Sequence, residues 1–166
     1  MIKIKWEVIL MKIKPKTLFI SIAFVITLFV VVSLYFLQGS TSFNKIVSEQ
    51  ISLTDVNQIK ITRLSYETLN REEVTISEPD KINLILNSLN TMKLTKIQTL
   101  DVQESQYKYD LIIRVNQEDR FGISFFDENT LEIYDAKKTK NRLSRYKIKN
   151  DYNINDEITG LIGITP

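Results

Sequence analysis

The chain of 166 residues contains neither cysteine nor histidine. Without cysteine, no disulfide stabilises the fold, and attachment to a membrane through a lipidated cysteine is excluded. Without histidine, the chain lacks the usual general base and the commonest metal ligand, which excludes the His-dependent serine and cysteine triads. Glycine occurs only four times, too sparsely for a phosphate-binding loop. These absences predict a protein that is not an enzyme and that holds no metal or cofactor.

What the chain does have is one long uncharged run, residues 17–37, with the sequence TLFISIAFVITLFVVVSLYFL. A helix rises about 1.5 Å per residue, so this run covers roughly 30 Å, the thickness of the hydrocarbon core of a bilayer. We therefore predict a single transmembrane helix. The alternative is a secretory signal that is cleaved near residues 39–42, which releases the remainder of the chain.

The charges beside this run predict its orientation. Lys12, Lys14 and Lys16 precede it with no acidic residue between them. Positive flanks stay in the cytoplasm, so residues 1–16 are predicted to lie inside and everything after the helix to lie outside the cell membrane.

The first ten residues are open to two interpretations. Met11 begins a second plausible start, and Trp6-Glu7-Val8 can be encoded by the nucleotides of a bacterial ribosome-binding site just upstream of it. On this hypothesis residues 1–10 are a mis-annotated extension and translation starts at Met11. On the other, Trp6 is an aromatic anchor at the membrane interface.

Beyond the hydrophobic run, the composition describes one ordinary domain of mixed charge. Residues 38–166 hold 17 basic and 19 acidic side chains, so the net charge of +2 for the whole chain comes from its N-terminal lysines. A nucleic-acid-binding domain is not expected from such a balance. Residues 38–55 are predicted as a polar tether with a short juxtamembrane helix, on which Phe43, Ile46, Val47 and Ile51 recur at helical spacing.

Residues 56–166 show the patterns of an α+β domain. Alternating apolar residues predict strands, most clearly from Tyr107 to Val115, where five apolar side chains occupy alternate positions. Short polar turns between such segments favour an antiparallel sheet. One helix is predicted after Ser77, which we expect to be its N-cap, with an apolar stripe that faces the sheet. The expected fold has two layers, an antiparallel sheet packed by one main helix. The stripe is formed by Ile82, Ile85, Leu86 and Leu89.

A basic stretch near the C-terminus is the candidate binding feature. It holds seven cations in thirteen residues without an acidic residue, and it could bind anionic lipid headgroups or an anionic envelope polymer. The alternative is a solvated hairpin whose charges protect a strand edge from aggregation. The seven residues are Lys137, Lys138, Lys140, Arg142, Arg145, Lys147 and Lys149.

The order of these segments resembles a group of small extracytoplasmic proteins of low-GC Gram-positive bacteria, either membrane-anchored or of the lipoprotein type. The similarity covers residues 43–148 and rests on QIKIT and EEVTIS, then DKINLILNSLNTMKL, then YDLIIRV with RFGISFFDENTLEIYD. The resemblance implies no known activity and gives no functional residue to carry over. This chain departs from the lipoprotein members because it has no cysteine to lipidate.

The sequence thus predicts a membrane-anchored, extracytoplasmic, non-catalytic binding module, whose partner would be an envelope protein, a peptide or an anionic polymer. Anchoring raises the effective concentration of such a module beside its partners. Two alternatives remain open: an immunity-type protein that protects its producer from an exported toxin, and a cell-envelope hydrolase. The sequence does not predict an oligomeric state.

Overall fold

The computed structural model describes the backbone of residues 15–103 and 105–162, and within that part it leaves undescribed the side chains at 15–17, 33–38, 159 and 161–162. Two compact units divide the chain, Met1–Gln38 and Gly39–Pro166. The predictions for residues 1–14, including the start at Met11 and the flanking Lys12 and Lys14, lie outside the described residues.

The first unit contains helix α1 (Pro15–Gln38), which has no acidic residue in its first turn and no basic residue in its last. Its described side chains, residues 18–32, are all exposed. Within the described part of the chain, no helix meets the length and apolarity required to cross a membrane.

The second unit is built on one sheet of eight strands in the order β1-β4-β8-β7-β6-β5-β2-β3, and every neighbouring pair is antiparallel. The strands are β1 (Ser40–Ser42), β2 (Val56–Ser65), β3 (Arg71–Ile76), β4 (Lys93–Ile97), β5 (Tyr107–Val115), β6 (Glu118–Phe125), β7 (Thr130–Asp135) and β8 (Leu143–Ile148). The helices are α2 (Phe43–Ile46), α3 (Pro79–Asn90) and α4 (Ile154–Ile162), with 3-10 turns at Ser48–Gln50 and Leu53–Asp55. The predicted α+β class with an antiparallel sheet is confirmed.

The strands β5 to β8 form a meander because their connections are short turns. Asn116 and Gln117 join β5 to β6 with φ of 53° and 70°. Positive φ at both central residues is the condition for a tight hairpin whose twist matches its strands, and asparagine tolerates that region better than most residues. Asn141 has a φ of 52° before β8 begins.

Within residues 38–42, predicted as part of a polar tether, three residues belong instead to the sheet. Ser40–Ser42 form β1, an edge strand that pairs with β4. Three polar residues carry no apolar alternation, so the sequence pattern gave no signal for this strand. Directly after it, α2 buries Phe43 completely, and Val47 beyond it is also fully buried.

Helix α3 covers one side of the sheet and connects β3, at one edge, to β4 near the other edge. Its four predicted stripe residues are all buried in the common core with residues such as Ile61 and Leu111. The prediction of Ser77 as N-cap is wrong: Glu78 is the N-cap residue, and it makes no side-chain capping bond. Pro79 occupies the first helical turn, where its missing N–H costs no intrahelical bond, and this positions the start of the helix.

Side chains that alternate with the core residues point to the other side of the sheet, which we call the open face. Ile112, Gly122, Tyr134 and Leu143 lie opposite one another there on β5 to β8. Tyr134 is 39% exposed and Leu143 is 47% exposed. The sheet therefore has one side packed by helices and one side in contact with solvent, as antiparallel sheets commonly do.

Candidate functional site

The predicted basic stretch is divided by the structure into a hairpin tip and a strand. Lys137, Lys138, Lys140 and Arg142 lie in the exposed loop between β7 and β8. Arg145 and Lys147 lie on β8, and Lys149 follows it. Because a strand rises about 3.3 Å per residue, Leu143 at the start of β8 is roughly 13 Å along the strand from Lys147, and the loop cations lie beyond it. The seven cations therefore do not form one compact patch.

Three of the seven have partners. The Nε of Arg145 donates to a carboxylate oxygen of Glu132 at 2.6 Å. The Nζ of Lys138 lies 3.7 Å from Asp135, and Arg142 donates to the backbone oxygen of Lys138 at 2.7 Å. These contacts hold the loop in place, but β8 lies between β4 and β7 and is therefore not the edge strand that the alternative interpretation of the stretch assumed.

Lys137, Lys140, Lys147 and Lys149 have no carboxylate within 4 Å among the described residues. The structure adds Lys93 to this group, since the backbone N–H of Lys149 donates to the backbone oxygen of Lys93 at 2.9 Å. Sequence reasoning missed Lys93 because it is more than 50 positions away from Lys149. Only the pairing of β4 with β8 brings the two together.

Cations in the half of the sheet formed by β2, β3, β5 and β6 are paired. Lys60 contacts Glu73 at 2.7 Å, and Lys108 contacts Asp110 at 3.1 Å. Asp110 also accepts a hydrogen bond from the Ser124 hydroxyl. The remaining cations on β2, β3, β5 and β6, namely Arg63, Arg71, Arg114 and Arg120, each have a carboxylate partner as well.

One ion pair is buried. Arg120 on β6 donates to Asp135 at the end of β7, and the side chains of both are less than 10% exposed. The guanidinium carbon lies 4.1 Å from the centre of the Phe121 ring. The Nε of Arg120 has no hydrogen-bond partner among the described atoms, and a cavity of about 160 Å³ lies beside the residue. Asp135 therefore compensates a charge that water reaches poorly.

A polar cavity of about 250 Å³ lies at the opposite end of the sheet. Asp127 is buried there and accepts backbone N–H groups from Gln103 at 2.8 Å and Asn129 at 2.7 Å. The carboxylate thus orders two loops. Within the described residues, no group of three or more acidic side chains is placed to hold a metal ion. The cavity is lined by Gln103, Ser105, Gln106, Asp127, Glu128 and Asn155.

Two tyrosines in the domain have shifted pKa values. Burial raises the pKa of Tyr152 to about 12, an effect that the nearby Ser88 hydroxyl partly offsets. Burial also raises the pKa of Tyr109, with an opposing effect from the Arg63 guanidinium. Both rings belong to the core, so these shifts reflect packing.

No protein-family model, curated protein or solved structure matches this chain. The resemblance to extracytoplasmic proteins of Gram-positive bacteria therefore stays a prediction from sequence. The function has to be argued from the geometry alone.

Proposed function

We propose that the chain is a single-pass membrane protein that displays a non-catalytic binding domain on the outer side of the membrane. The observation that carries the binding role is the open face, where apolar and charged side chains share one solvent-facing surface. The predicted partner remains an envelope protein, a peptide or an anionic polymer.

The character of α1 supports the anchor. Its apolar residues surround the whole helix, and Phe19, Phe24 and Phe29 are 74%, 69% and 74% exposed. A helix that is apolar on every side requires an apolar environment, which water does not provide. The hydroxyl of Thr27 donates to the backbone oxygen of Ala23 at 2.9 Å, so this polar group is satisfied within the helix, as hydrocarbon requires.

The open face supports the binding role because its centre is apolar and its surroundings are polar. Tyr134 and Leu143 lie side by side on β7 and β8, and Gly122, which has no side chain, lies between Ile112 and Tyr134. Exposed aromatic and aliphatic side chains with a polar rim are typical of protein interaction sites. Charged residues such as Lys60 and Glu132 lie in the adjoining positions and would set the orientation of a partner.

Site-specific photocrosslinking in intact cells tests this role. A benzophenone side chain at Tyr134 should give a discrete adduct of higher mass. The same side chain at Leu84, an exposed apolar position on α3 that points away from the sheet, should not. Adducts at Leu84 but not at Tyr134 would reject the open face as the binding surface.

A further inference from the structure

Three lysines meet at the end of the open face that adjoins β1. Lys147 and Lys149 flank the buried Ile148, so both point away from the core. Lys93 lies directly across from Lys149, joined to it by the backbone hydrogen bond described above. Opposed residues on neighbouring strands place their Cβ atoms about 5 Å apart. We call Lys93, Lys147 and Lys149 the lysine corner.

The domain does not neutralise the lysine corner. No carboxylate of the described residues lies within 4 Å of any of its three Nζ atoms. Like charges directly opposite one another destabilise a sheet. The domain therefore carries an electrostatic cost here that an anionic partner would remove.

The neighbouring residues suit phosphate oxygens. Thr95 on β4 lies opposite Lys147, so one hydroxyl donor stands beside the ammonium groups, whereas Thr130, opposite Lys147 on the other strand, is only 3% exposed. Lysine binds phosphate as a point charge, without the bidentate contacts that arginine makes.

The position of the corner in the chain indicates which phosphate it meets. Ser40 and Ser42 of β1 pair with Thr95 and Lys93. Neighbouring strands lie about 4.8 Å apart, so β8 is roughly 10 Å from β1. Only Gly39 separates β1 from the last residue of α1. The loop that holds Lys140 lies beyond Leu143, which is roughly 13 Å along β8 from Lys147.

We propose that the lysine corner binds the phosphates of anionic phospholipid headgroups at the membrane surface. This rests on the proposed function, because it requires α1 to be a membrane anchor. A membrane surface is favoured over an envelope polymer because the corner adjoins the strand that directly follows α1.

Lysine reactivity in reconstituted vesicles tests the proposal. The full chain is placed in vesicles of phosphatidylcholine, alone or mixed with phosphatidylglycerol, and exposed briefly to an amine-acetylating reagent. Mass spectrometry then gives the extent of modification at each lysine. We expect modification of Lys93, Lys147 and Lys149 to slow about fivefold when phosphatidylglycerol is present, with no change at Lys137 or Lys140. Equal slowing at all five positions, or no slowing at any of them, would reject the binding of phospholipid by the lysine corner.

A matched pair of variants sharpens the test. Lys147→Gln with Lys149→Gln should abolish the protection of Lys93 in phosphatidylglycerol vesicles. Lys137→Gln with Lys140→Gln removes the same charge from the hairpin tip and should leave that protection intact. Protection by soluble polyglycerol phosphate, without protection by phosphatidylglycerol, would show that the lysine corner binds an anionic polymer and would reject the proposal that it binds phospholipid.

Alkaline carbonate extraction of the same vesicles separates this proposal from the anchor. Release of the chain into the supernatant would overturn the membrane anchor. Retention of the chain together with uniform lysine reactivity would overturn the lysine corner alone.

Discussion

The two halves of the sheet treat their charges differently. On β2, β3, β5 and β6, every lysine and arginine has a carboxylate within 4 Å. On β4 and β8, Arg145 has a carboxylate within 4 Å. Among the described residues, no carboxylate lies that close to Lys93, Lys96 or Lys147. In the first half, carboxylates of the domain neutralise the cations. In the second half, three lysines keep a positive charge that a partner outside the domain could neutralise. The unbalanced half also contains β1, the strand that follows α1 in the chain.

The buried ion pair gives the largest expected effect on the balanced side. Asp135→Asn should lower the free energy of unfolding of the Gly39–Pro166 unit by about 3–5 kcal/mol, because Arg120 would keep its charge in a buried position without compensation. Denaturant unfolding measures this directly. The exposed Glu118→Gln is the control, and it should change stability by less than about 0.5 kcal/mol. A small loss in Asp135→Asn would show that water reaches Arg120.

Alkaline pH gives the next largest effect. The pKa of Tyr152 is raised to about 12 in the folded state, against 10 for an ordinary tyrosine. The unfolded chain therefore loses this proton first, so stability is complete below pH 10 and falls as the pH rises towards 12. Tyr152 should contribute a loss of roughly 2–3 kcal/mol across that interval.

Unfolding free energies of the wild type and of Tyr152→Phe, compared between pH 9 and pH 12, isolate the Tyr152 contribution. The variant should show a shallower decline. Identical slopes for the two proteins would contradict the account of Tyr152 as a buried, protonated ring.

A half-exposed pair should matter less than the buried one. Arg63 is buried, but its partner Glu72 is 49% exposed, with Nη2 of Arg63 2.8 Å from the carboxylate. Glu72→Gln should therefore lower the free energy of unfolding by only about 1 kcal/mol, because Glu72 is already half in water and the Tyr107 ring, 4.8 Å from the guanidinium, still contacts the cation. Denaturant unfolding of the wild type and the variant measures this change. A loss of stability as large as that of Asp135→Asn would contradict the distinction between the buried pair and the half-exposed pair.

On the unbalanced side, the expected effect is smaller and has the opposite sign. Lys149→Glu replaces a like-charge pair with Lys93 by an opposite-charge pair, and should raise stability by about 0.2–1 kcal/mol. Lys140→Glu, at the hairpin tip, should leave stability unchanged. Thermal unfolding of the two variants side by side makes the comparison, and destabilisation by Lys149→Glu would indicate that Lys93 and Lys149 are not in electrostatic conflict.

Regular alternation made most of the sheet predictable. Tyr109, Leu111 and Ile113 are buried at alternate positions, as expected for β5, and the predicted helical stripe is buried in α3. The local pattern was enough because the face on which each of these residues lies depends only on the period of its own helix or strand. The edge strand β1 was missed because Ser40–Ser42 is short and polar, and its pairing with β4 depends on residues more than 50 positions away.

The candidate site was only partly predictable for the same reason. The basic stretch was visible as a run of sequence, but its division into paired and unpaired cations was not. Arg145 forms an ion pair with Glu132 on the neighbouring strand β7. Lys93 comes from a distant segment of the chain and is hydrogen-bonded through its backbone to Lys149. Charge pairing is decided by register, and register across a sheet is a property of the whole fold.

Protease treatment of intact, wall-stripped bacterial cells that produce the full chain tests whether the domain lies outside the membrane. External protease should remove the domain while a short fragment containing α1 stays in the membrane fraction. Full protection of the domain in intact cells, or recovery of the full-length chain in the soluble cytosolic fraction, would contradict it.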